Sequence, residues 1–219
     1  MNVANNILKR YLKNVYFFCG TACGGKTTVS RAFAEKHGLY WLSEDSLNEQ
    51  MARIAEPGAQ PAWCSRPDDW ETYFNRPYKE YHRWLSDCAA EMLPLALTEL
   101  ISLSADRRVA VDLYNLPPQT ALEYTERNRI VFLVTSPERV VRDYYDRPGH
   151  SEIYECIMGL RDPVAALENT NKMLAYNAEL FLEELYASGL YYIFRDDEST
   201  VEKTLALVER HFGLCDGAE

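Results

Sequence analysis

The stretch that decides the fold of this chain is residues 20–27, which read Gly-Thr-Ala-Cys-Gly-Gly-Lys-Thr. This octapeptide fits the pattern GxxxxGK[S/T] of a phosphate-binding loop without a departure. The apolar run VYFFC precedes it at 15–19, and residues 26–37 after it read as a helix. A buried strand, a glycine-rich turn and a helix N-terminus form the context of such a loop, because inward-pointing N–H groups and the helix dipole together bind phosphate.

The chemistry of a nucleoside triphosphate assigns roles within this loop. Lys26 is expected to reach the β- and γ-phosphates as a catalytic cation, and the Thr27 hydroxyl is expected to ligate Mg²⁺. Cys23 is interpreted as a small loop residue, although oxidation of its thiol could also block phosphate binding. The predicted cofactors are therefore ATP and Mg²⁺. The residues predicted to bind the nucleotide are Gly20, Thr21, Ala22, Cys23, Gly24, Gly25, Lys26, Thr27 and Thr28.

Short apolar runs alternate with helical stretches along the whole chain. The runs are 15–19, 39–42, 108–112, 130–135 and 190–194. This alternation predicts an α/β fold with three layers, in which helices cover both faces of a mostly parallel sheet. Helices are predicted over 26–37, 46–54, 70–104 with a break near Pro94, 137–146, 164–187 and 200–212. Ser46 with Glu49, and Ser199 with Glu202, have the spacing of capping boxes at helix starts.

The domain organisation predicted from the sequence is one kinase-like domain over 1–219. A helical insert at about 56–105 separates the second and third strands, and it begins with a Pro- and Gly-rich loop. A lid is predicted at about 136–163, with an irregular stretch over 147–163. No linker composition divides the chain, so both segments are read as parts of a single domain.

Composition limits the partners and the cellular context. The 219 residues include 33 Asp or Glu and 23 Lys or Arg, which gives a net charge of −10. An acidic chain repels nucleic acids and anionic membranes, so neither is expected as a main partner. The six cysteines lack metal-binding spacing, and neither a signal peptide nor a membrane-length apolar run is present. These features predict a cytoplasmic protein with reduced thiols, and they leave its oligomeric state open.

Carboxylates follow two of the predicted strands, at the edge where open α/β sheets bind ligands. Asp112 ends the third apolar run and is predicted to face Mg²⁺ as a metal residue beside Thr27, unless it only closes the strand. Asp45 follows the second run and is predicted to be the catalytic base for an acceptor hydroxyl, unless it only caps a helix. Glu44 is the weaker candidate, because alternation along a strand turns it to the opposite face.

The lid carries arginines in the stretch SPERVVRDYYDRPGH at 136–150. Arg139 and Arg142 are three residues apart and share a helix face, and Arg147 falls at the helix end. Phosphoryl transfer needs cations near the developing charge, so Arg142 and Arg147 are predicted to be catalytic when the lid closes. The alternative is a solvated helix whose arginines pair with neighbouring acids.

Together these features resemble the small-molecule kinases of the P-loop class, the group of the adenylate, shikimate and gluconate kinases. The chain looks most like the chloramphenicol phosphotransferase and zeta-toxin branch, through the stretches GTACGGKTT, SEDSLNEQM and VAVDLYNLP and the Arg142-x4-Arg147 pair. The resemblance covers residues 15 to about 147. It implies a five-stranded parallel sheet in the order 2-3-1-4-5, Asp45 as the base, Arg142 and Arg147 as lid arginines, and the loop after Phe194 near the nucleotide base.

Two departures from the family concern the acceptor. Leu-Tyr follows Asp112 where relatives often have glycine, and the insert over 57–99 has no counterpart. Asn115 is either an acceptor contact or a turn residue. The insert's ring-bearing side chains either stack on a planar acceptor or form the core face of a helix. They are Trp63, Trp70, Tyr73, Phe74, Tyr78, Tyr81, His82 and Trp84.

The function expected from these residues is an ATP- and Mg-dependent phosphotransferase that moves the γ-phosphate to a hydroxyl of a small molecule. Nucleosides, sugars, an antibiotic and a nucleotide-sugar all remain open as acceptors. Two alternatives belong to other classes: a nucleotide-binding switch with little turnover, and an interaction protein whose insert binds a partner.

Overall fold

The structure, a computed structural model, describes residues 4–114, 116–147 and 149–214. Its strands are β1 Val15–Cys19, β2 Tyr40–Leu42, β3 Val109–Asp112, β4 Ile130–Val134 and β5 Tyr192–Phe194. They form one sheet in the order β2-β3-β1-β4-β5, and each neighbouring pair is parallel. The predicted fold class and strand order are therefore confirmed.

Helices and short turns connect the strands. They are α1 Asn5–Tyr11, α2 Lys26–His37, α3 Glu44–Ile54, α4 Pro61–Cys64, α5 Trp70–Asn75, α6 Tyr78–Leu103, α7 Ala121–Tyr124, α8 Pro137–Asp143, α9 Ser151–Met158, α10 Pro163–Ser188 and α11 Val201–Phe212, with a 3₁₀ turn at Arg127–Arg129. None of the helices in the described ranges combines the length and the apolar character needed to span a membrane.

Both faces of the sheet are covered, because successive strand residues point to opposite sides. In β1, Phe17 and Cys19 enter a core formed with α6 and α10, whereas Tyr16 and Phe18 enter a second core formed with α2 and α11. Every residue of β1 is buried. The central strand that leads into the phosphate-binding loop is thus fixed from both sides.

A third core joins the insert and the lid beside the loop. Phe74 and Tyr81 of the insert pack with Val140 of α8, Ile157 of α9 and Ala22 of the loop. The first part of α10 contributes Ala166, Met173, Leu174 and Ala178 to the same core. Insert and lid therefore meet next to the site where phosphate is expected to bind.

The long insert helix differs from the prediction at its break. The interruption falls at Arg76 and Pro77, between α5 and α6, and α6 continues through Pro94. Arg76 is extended (φ −65°, ψ 145°), as expected for a residue that precedes proline. Within α6, burial of Met92 and Ala96 against the sheet outweighs the backbone hydrogen bond that Pro94 cannot donate.

Neither predicted N-cap residue caps its helix. The cap of α3 lies three residues before the predicted Ser46, and the cap of α11 lies one residue after the predicted Ser199. The Ser43 hydroxyl, not Ser46, caps α3 by accepting from the Ser46 N–H at 3.2 Å. The Thr200 hydroxyl caps α11 by accepting from the Lys203 N–H at 3.2 Å. In the lid, the stretch predicted to be irregular contains α9. The earlier start of α3 matters for the site, because it brings Glu44 and Asp45 into a helix.

Candidate active site

The loop between β1 and α2 has the backbone of a phosphate cradle. Gly25 precedes the helix with φ +81°, and Cys23 also has positive φ, at +57°. The Thr21 hydroxyl accepts a hydrogen bond from the Thr135 N–H at 3.1 Å, which ties the loop to the end of β4. Lys26 is the first residue of α2. The predicted nucleotide-binding residues therefore form the loop and the first residues of α2, at the carboxyl edge of the sheet.

Two glycines of the loop are required by close approach of the β4 backbone. A Cβ atom on Gly20 would lie 2.0 Å from the Leu133 carbonyl oxygen, and one on Gly24 would lie 2.2 Å from the same atom. Contacts this short force the loop or the strand to move. Glycine at these two positions thus reflects packing of the loop against β4.

Gly24→Ala is expected to destabilise the protein by about 1–3 kcal/mol, the usual cost of overpacking, and to lower Tm by roughly 2–10 °C. It should also abolish stabilisation by Mg-ATP, since the loop can no longer keep its turn. Gly58→Ala is the matched control, because a Cβ there meets no atom within 4 Å. We expect it to change stability by no more than about 0.5 kcal/mol. Thermal unfolding of both variants measures this, and equal Tm values would contradict the packing argument.

Lys26 is buried, with 8% of its surface exposed, and its amino group lies inside the loop. Its Nζ donates to the Thr21 carbonyl at 2.9 Å and lies 5.1 Å from the centroid of the Tyr114 ring. Burial lowers the pKa of Lys26, while the nearby carboxylates of Asp112 and Glu44 raise it. The structure thus surrounds this cation with a carbonyl, an aromatic face and two acids.

Asp112 and Thr27 are in direct contact across the site. The Thr27 hydroxyl donates a short hydrogen bond to Asp112 Oδ2, and Asp112 is 5% exposed. A hydroxyl beside a carboxylate at the loop fits the oxygen ligands of Mg²⁺, which commonly combines one or two protein groups with substrate phosphates and water. Within the described ranges, no group of three or more His, Cys, Asp or Glu could hold a metal by itself. The donor set therefore fits an ion shared with nucleotide phosphates.

The structure places Glu44, rather than Asp45, among the site residues. Both lie in the first turn of α3, so strand alternation does not apply, and the reason for ranking Glu44 second was wrong. The carboxylate of Glu44 accepts from the Tyr114 N–H at 2.5 Å, whereas Asp45 is exposed. Burial raises the pKa of Glu44 to about 7, although the Tyr114 N–H and Lys26 act to lower it. A carboxylate with a pKa near neutrality is well suited to accept a proton.

The two lid arginines occupy different surroundings. Arg147 lies beside Cys23 of the loop, since its charge lowers the pKa of that thiol, which burial raises. Arg142 is exposed and points away, with Nη2 2.7 Å from Asp197 and Nε 2.6 Å from Asp143. Arg139 also pairs with Asp143, at 3.0 Å. Only Arg147 of the predicted catalytic pair is next to the loop in this arrangement.

Arg195 is a site residue that the motifs do not reveal. It follows β5, and its Nη1 donates to the Gly24 carbonyl at 3.3 Å while the side chain covers Gly25. Its Nε is buried and has no hydrogen-bond partner among the described residues. The one sequence signal for a role of Arg195 was the family resemblance, which implied that the loop after Phe194 lies near the nucleotide base. Arg195 and Gly24 are 171 positions apart in the chain, so no local sequence pattern predicts their contact.

The aromatic residues of the insert pack mainly on one another and on the lid. Tyr73 makes edge contacts with Phe74, Tyr81 and Trp84, with ring centroids 4.8, 5.4 and 5.6 Å apart. This arrangement supports the core interpretation for most of these rings. His82 contacts Asn177 at 2.9 Å, and the same Asn177 donates to the Tyr114 hydroxyl. Asn115, predicted to be either an acceptor contact or a turn residue, lies outside the described residues.

Comparison with solved structures shows that the fold of this chain is similar to that of known proteins. No protein-family model and no curated protein matches the sequence. Shikimate kinase from Bacteroides thetaiotaomicron matches at 15% identity, over 91% of this chain and 98% of its own, with a TM-score of 0.51. The chain has the fold of a P-loop kinase. Shikimate kinase from Acinetobacter baumannii in complex with shikimate matches at 18% identity, over 90% of this chain and 93% of its own, with a TM-score of 0.47.

Proposed function

We propose that this protein is a P-loop phosphotransferase that moves the γ-phosphate of ATP to a hydroxyl of a small molecule. The observation that carries the proposal is the convergence of Lys26, the Thr27–Asp112 pair and Glu44 at one edge of the sheet. A cation, a pair of oxygen ligands and a carboxylate of raised pKa are the groups that transfer to an alcohol requires. We further propose that insert, sheet and lid act as one catalytic domain.

In the proposed reaction the loop, the lid and the start of α3 have different roles. The loop N–H groups and Lys26 bind the β- and γ-phosphates, and Arg147 adds positive charge from the lid. The acceptor oxygen forms a bond to the γ-phosphorus while the bond from phosphorus to the β–γ bridging oxygen breaks and ADP leaves. Glu44 takes the hydroxyl proton, in place of the base role predicted for Asp45. Because the site lies between insert and lid, their closure excludes water from the transfer.

Mg²⁺ would be held by Thr27 and Asp112 together with nucleotide phosphates. When bound, the ion neutralises charge on the β- and γ-phosphates. Arg142 joins the site only if its pairs with Asp143 and Asp197 separate, so we assign it a role in lid closure. Water screens ion pairs this exposed and makes them weak, so nucleotide phosphates can compete for the guanidinium.

The acceptor is proposed to be a nucleoside, a sugar or an antibiotic-like alcohol, with a nucleotide-sugar as a further member of this group. The likeness to the chloramphenicol phosphotransferase and zeta-toxin branch supports this range through sequence motifs alone. We propose a cytoplasmic location, where ATP and reduced thiols are available, and no role in binding nucleic acid or membranes.

Mg-ATP is expected to raise Tm by roughly 5–10 °C at a concentration of about 100 times Kd, from a gain of about 2.7 kcal/mol. Thermal unfolding with ATP, with and without EDTA, measures this, followed by a γ-phosphate transfer screen over nucleosides, sugars and hydroxylated antibiotics. Stabilisation with transfer supports the proposal. Stabilisation without transfer to any class favours a nucleotide-binding switch, and the absence of any shift by nucleotide would contradict the proposed function.

A further inference from the structure

Tyr114 lies between the proposed base and the proposed phosphate-binding cation. Its backbone N–H donates to the Glu44 carboxylate at 2.5 Å, and its ring centroid lies 5.1 Å from Lys26 Nζ. An N–H that donates to a carboxylate, and a cation that faces an aromatic ring, are both favourable contacts whose geometry restricts the groups involved. One residue therefore helps to fix the positions of both Lys26 and Glu44.

A polar contact from α10 holds the Tyr114 side chain. The Nδ2 atom of Asn177 donates a short hydrogen bond to the Tyr114 hydroxyl. The Oδ1 atom of the same amide lies 2.9 Å from Nδ1 of His82, in the insert helix α6. An amide oxygen can only accept, so His82 donates from Nδ1 in this arrangement. A chain of hydrogen-bonded side chains thus runs from the insert through α10 to Tyr114.

The Tyr114 ring has little free space around it. It shares a cavity with Thr21 and Ala22 of the loop and with Leu174 and Asn177 of α10, and the volume of this cavity is about 10 Å³. This is no more than the space that one water molecule needs. Close packing restricts the ring to positions near the one observed, and the hydrogen bond from Asn177 selects among them.

A second tyrosine–asparagine pair joins α10 to the lid. The Tyr145 hydroxyl donates to Asn171 Oδ1 at 3.1 Å. The Tyr145 ring packs on Tyr144 and Tyr154, with ring centroids 5.2 and 5.6 Å apart. This pair has the same chemistry as the Tyr114–Asn177 pair and the same supporting helix, so it provides a matched control.

Resting on the proposed function, we propose that Tyr114 is a positioning residue for phosphoryl transfer, held by Asn177 and His82 so that Lys26 and Glu44 are aligned with each other. Tyr114 acts through these two groups and does not itself take the proton. Because His82 belongs to α6, alignment of the site depends on how the insert helix packs on α10. Glycine, which relatives often have after Asp112, would supply neither the ring nor the hydroxyl.

Tyr114→Phe removes the hydroxyl and keeps the ring. We expect kcat for transfer to fall about three- to tenfold, as for the loss of one hydrogen bond, while KM for ATP changes less than about twofold. Tyr145→Phe removes the same group from the pair with Asn171 and should keep the wild-type kcat. Steady-state transfer assays measure both variants, and circular dichroism confirms that each is folded. Equal kcat values in Tyr114→Phe and Tyr145→Phe would overturn the proposal.

A double-mutant cycle tests whether Tyr114 and Asn177 act together. Asn177→Leu removes both contacts of the amide and should lower kcat at least as much as Tyr114→Phe does. The double variant should be no slower than Asn177→Leu alone, because both substitutions break the same chain of contacts. Losses in kcat that multiply in the double variant would show that the two residues act independently, which contradicts the proposed chain.

A titration of Glu44 separates positioning from a general loss of stability. Burial raises the pKa of Glu44 to about 7 against the lowering effect of the Tyr114 N–H, so a less constrained Tyr114 should raise this pKa further. Carboxyl ¹³C NMR of the full chain follows the titration, and the signal missing in Glu44→Gln assigns it. The charges of Lys26, Asp112 and Asp45 also act on Glu44, and they are unaltered in Tyr114→Phe. A lower kcat with an unchanged midpoint would assign the effect to structure alone and reject positioning.

Failure of this inference is distinguishable from failure of the proposed function. If the wild type transfers phosphate and the Glu44 midpoint in Tyr114→Phe equals that in Tyr145→Phe, positioning by Tyr114 is overturned and the phosphotransferase stands. If the wild type transfers γ-phosphate to no acceptor, the proposed function is rejected whatever the midpoint.

Discussion

Lys26→Met is expected to lower phosphoryl transfer by about 10²–10³-fold, the range for loss of one preorganised charge-stabilising group. The Nζ of Lys26 is held 2.9 Å from the Thr21 carbonyl within the loop, so no other side chain can replace it without rebuilding the turn. Methionine keeps the length and apolar character of the stem, which should preserve the buried packing. Steady-state transfer and the Tm shift with Mg-ATP both measure the loss.

Lys36→Met is the matched control in the same helix. The Lys36 side chain pairs with Glu209 at 2.6 Å, at the far end of α2. This variant should keep full transfer and full stabilisation by Mg-ATP. Wild-type activity in Lys26→Met would reject the phosphate-binding role of the loop, and with it the proposed function.

Glu44→Gln is expected to lower kcat by about 10²–10⁴-fold, the range for loss of a general base. Glutamine keeps an oxygen that can accept from the Tyr114 N–H, so the local fold should be retained, and ATP affinity should change little. Asp45→Asn is the matched control one residue away, on the exposed side of the helix start. If Asp45→Asn loses transfer while Glu44→Gln remains active, the base is Asp45 as the sequence predicted.

The pH dependence of transfer provides an independent test of Glu44. A base must be deprotonated to accept the hydroxyl proton, and burial raises the pKa of this carboxyl to about 7. The rate should therefore rise as pH increases through about 7 and level off above it. In Glu44→Gln this rise should disappear, whereas Asp45→Asn should keep it.

Stability should follow the opposite trend with pH. The pKa of Glu44 is higher in the folded chain than its ordinary value of 4.5, so the folded state holds this proton more tightly. The stabilising contribution is complete below about pH 4.5 and is lost as pH rises to about 7. Tm of the wild type relative to that of Glu44→Gln should thus fall between pH 5 and pH 8. A difference in Tm that does not vary with pH would contradict the raised pKa.

Local sequence patterns were sufficient to predict the glycine-rich loop at 20–27 and the positions of the five strands. Burial from both sides makes β1 a continuous apolar run, and the positive φ of Gly25 is a local reason for a glycine in the loop. The five predicted runs agree with the observed strands to within two residues at each end. The sheet order came from family resemblance, since no periodicity in a sequence specifies which strands are neighbours.

Errors in the prediction arose at the boundaries of helices. The start of α3 at Glu44 rather than at 46 replaces strand alternation with helical geometry, so that the Glu44 carboxylate accepts from the Tyr114 N–H while Asp45 is exposed. The break of the insert helix at Pro77 rather than Pro94 depends on burial, because a core-facing helix can retain a proline. Element boundaries are decided by packing that a local pattern does not record.

The sequence by itself determined the fold class, the glycine-rich loop at 20–27 that we propose binds phosphate, and Asp112 at the end of a buried strand. These features rest on contacts between residues close along the chain, or on burial that repeats with a strand's period. Only the tertiary structure decided that the Glu44 carboxylate accepts from the Tyr114 N–H, that Arg195 covers the loop, and that Arg147 approaches it while Arg142 pairs with Asp197. The physical reason is that burial and charge pairing depend on segments far apart in the chain, and the folded core alone brings them together.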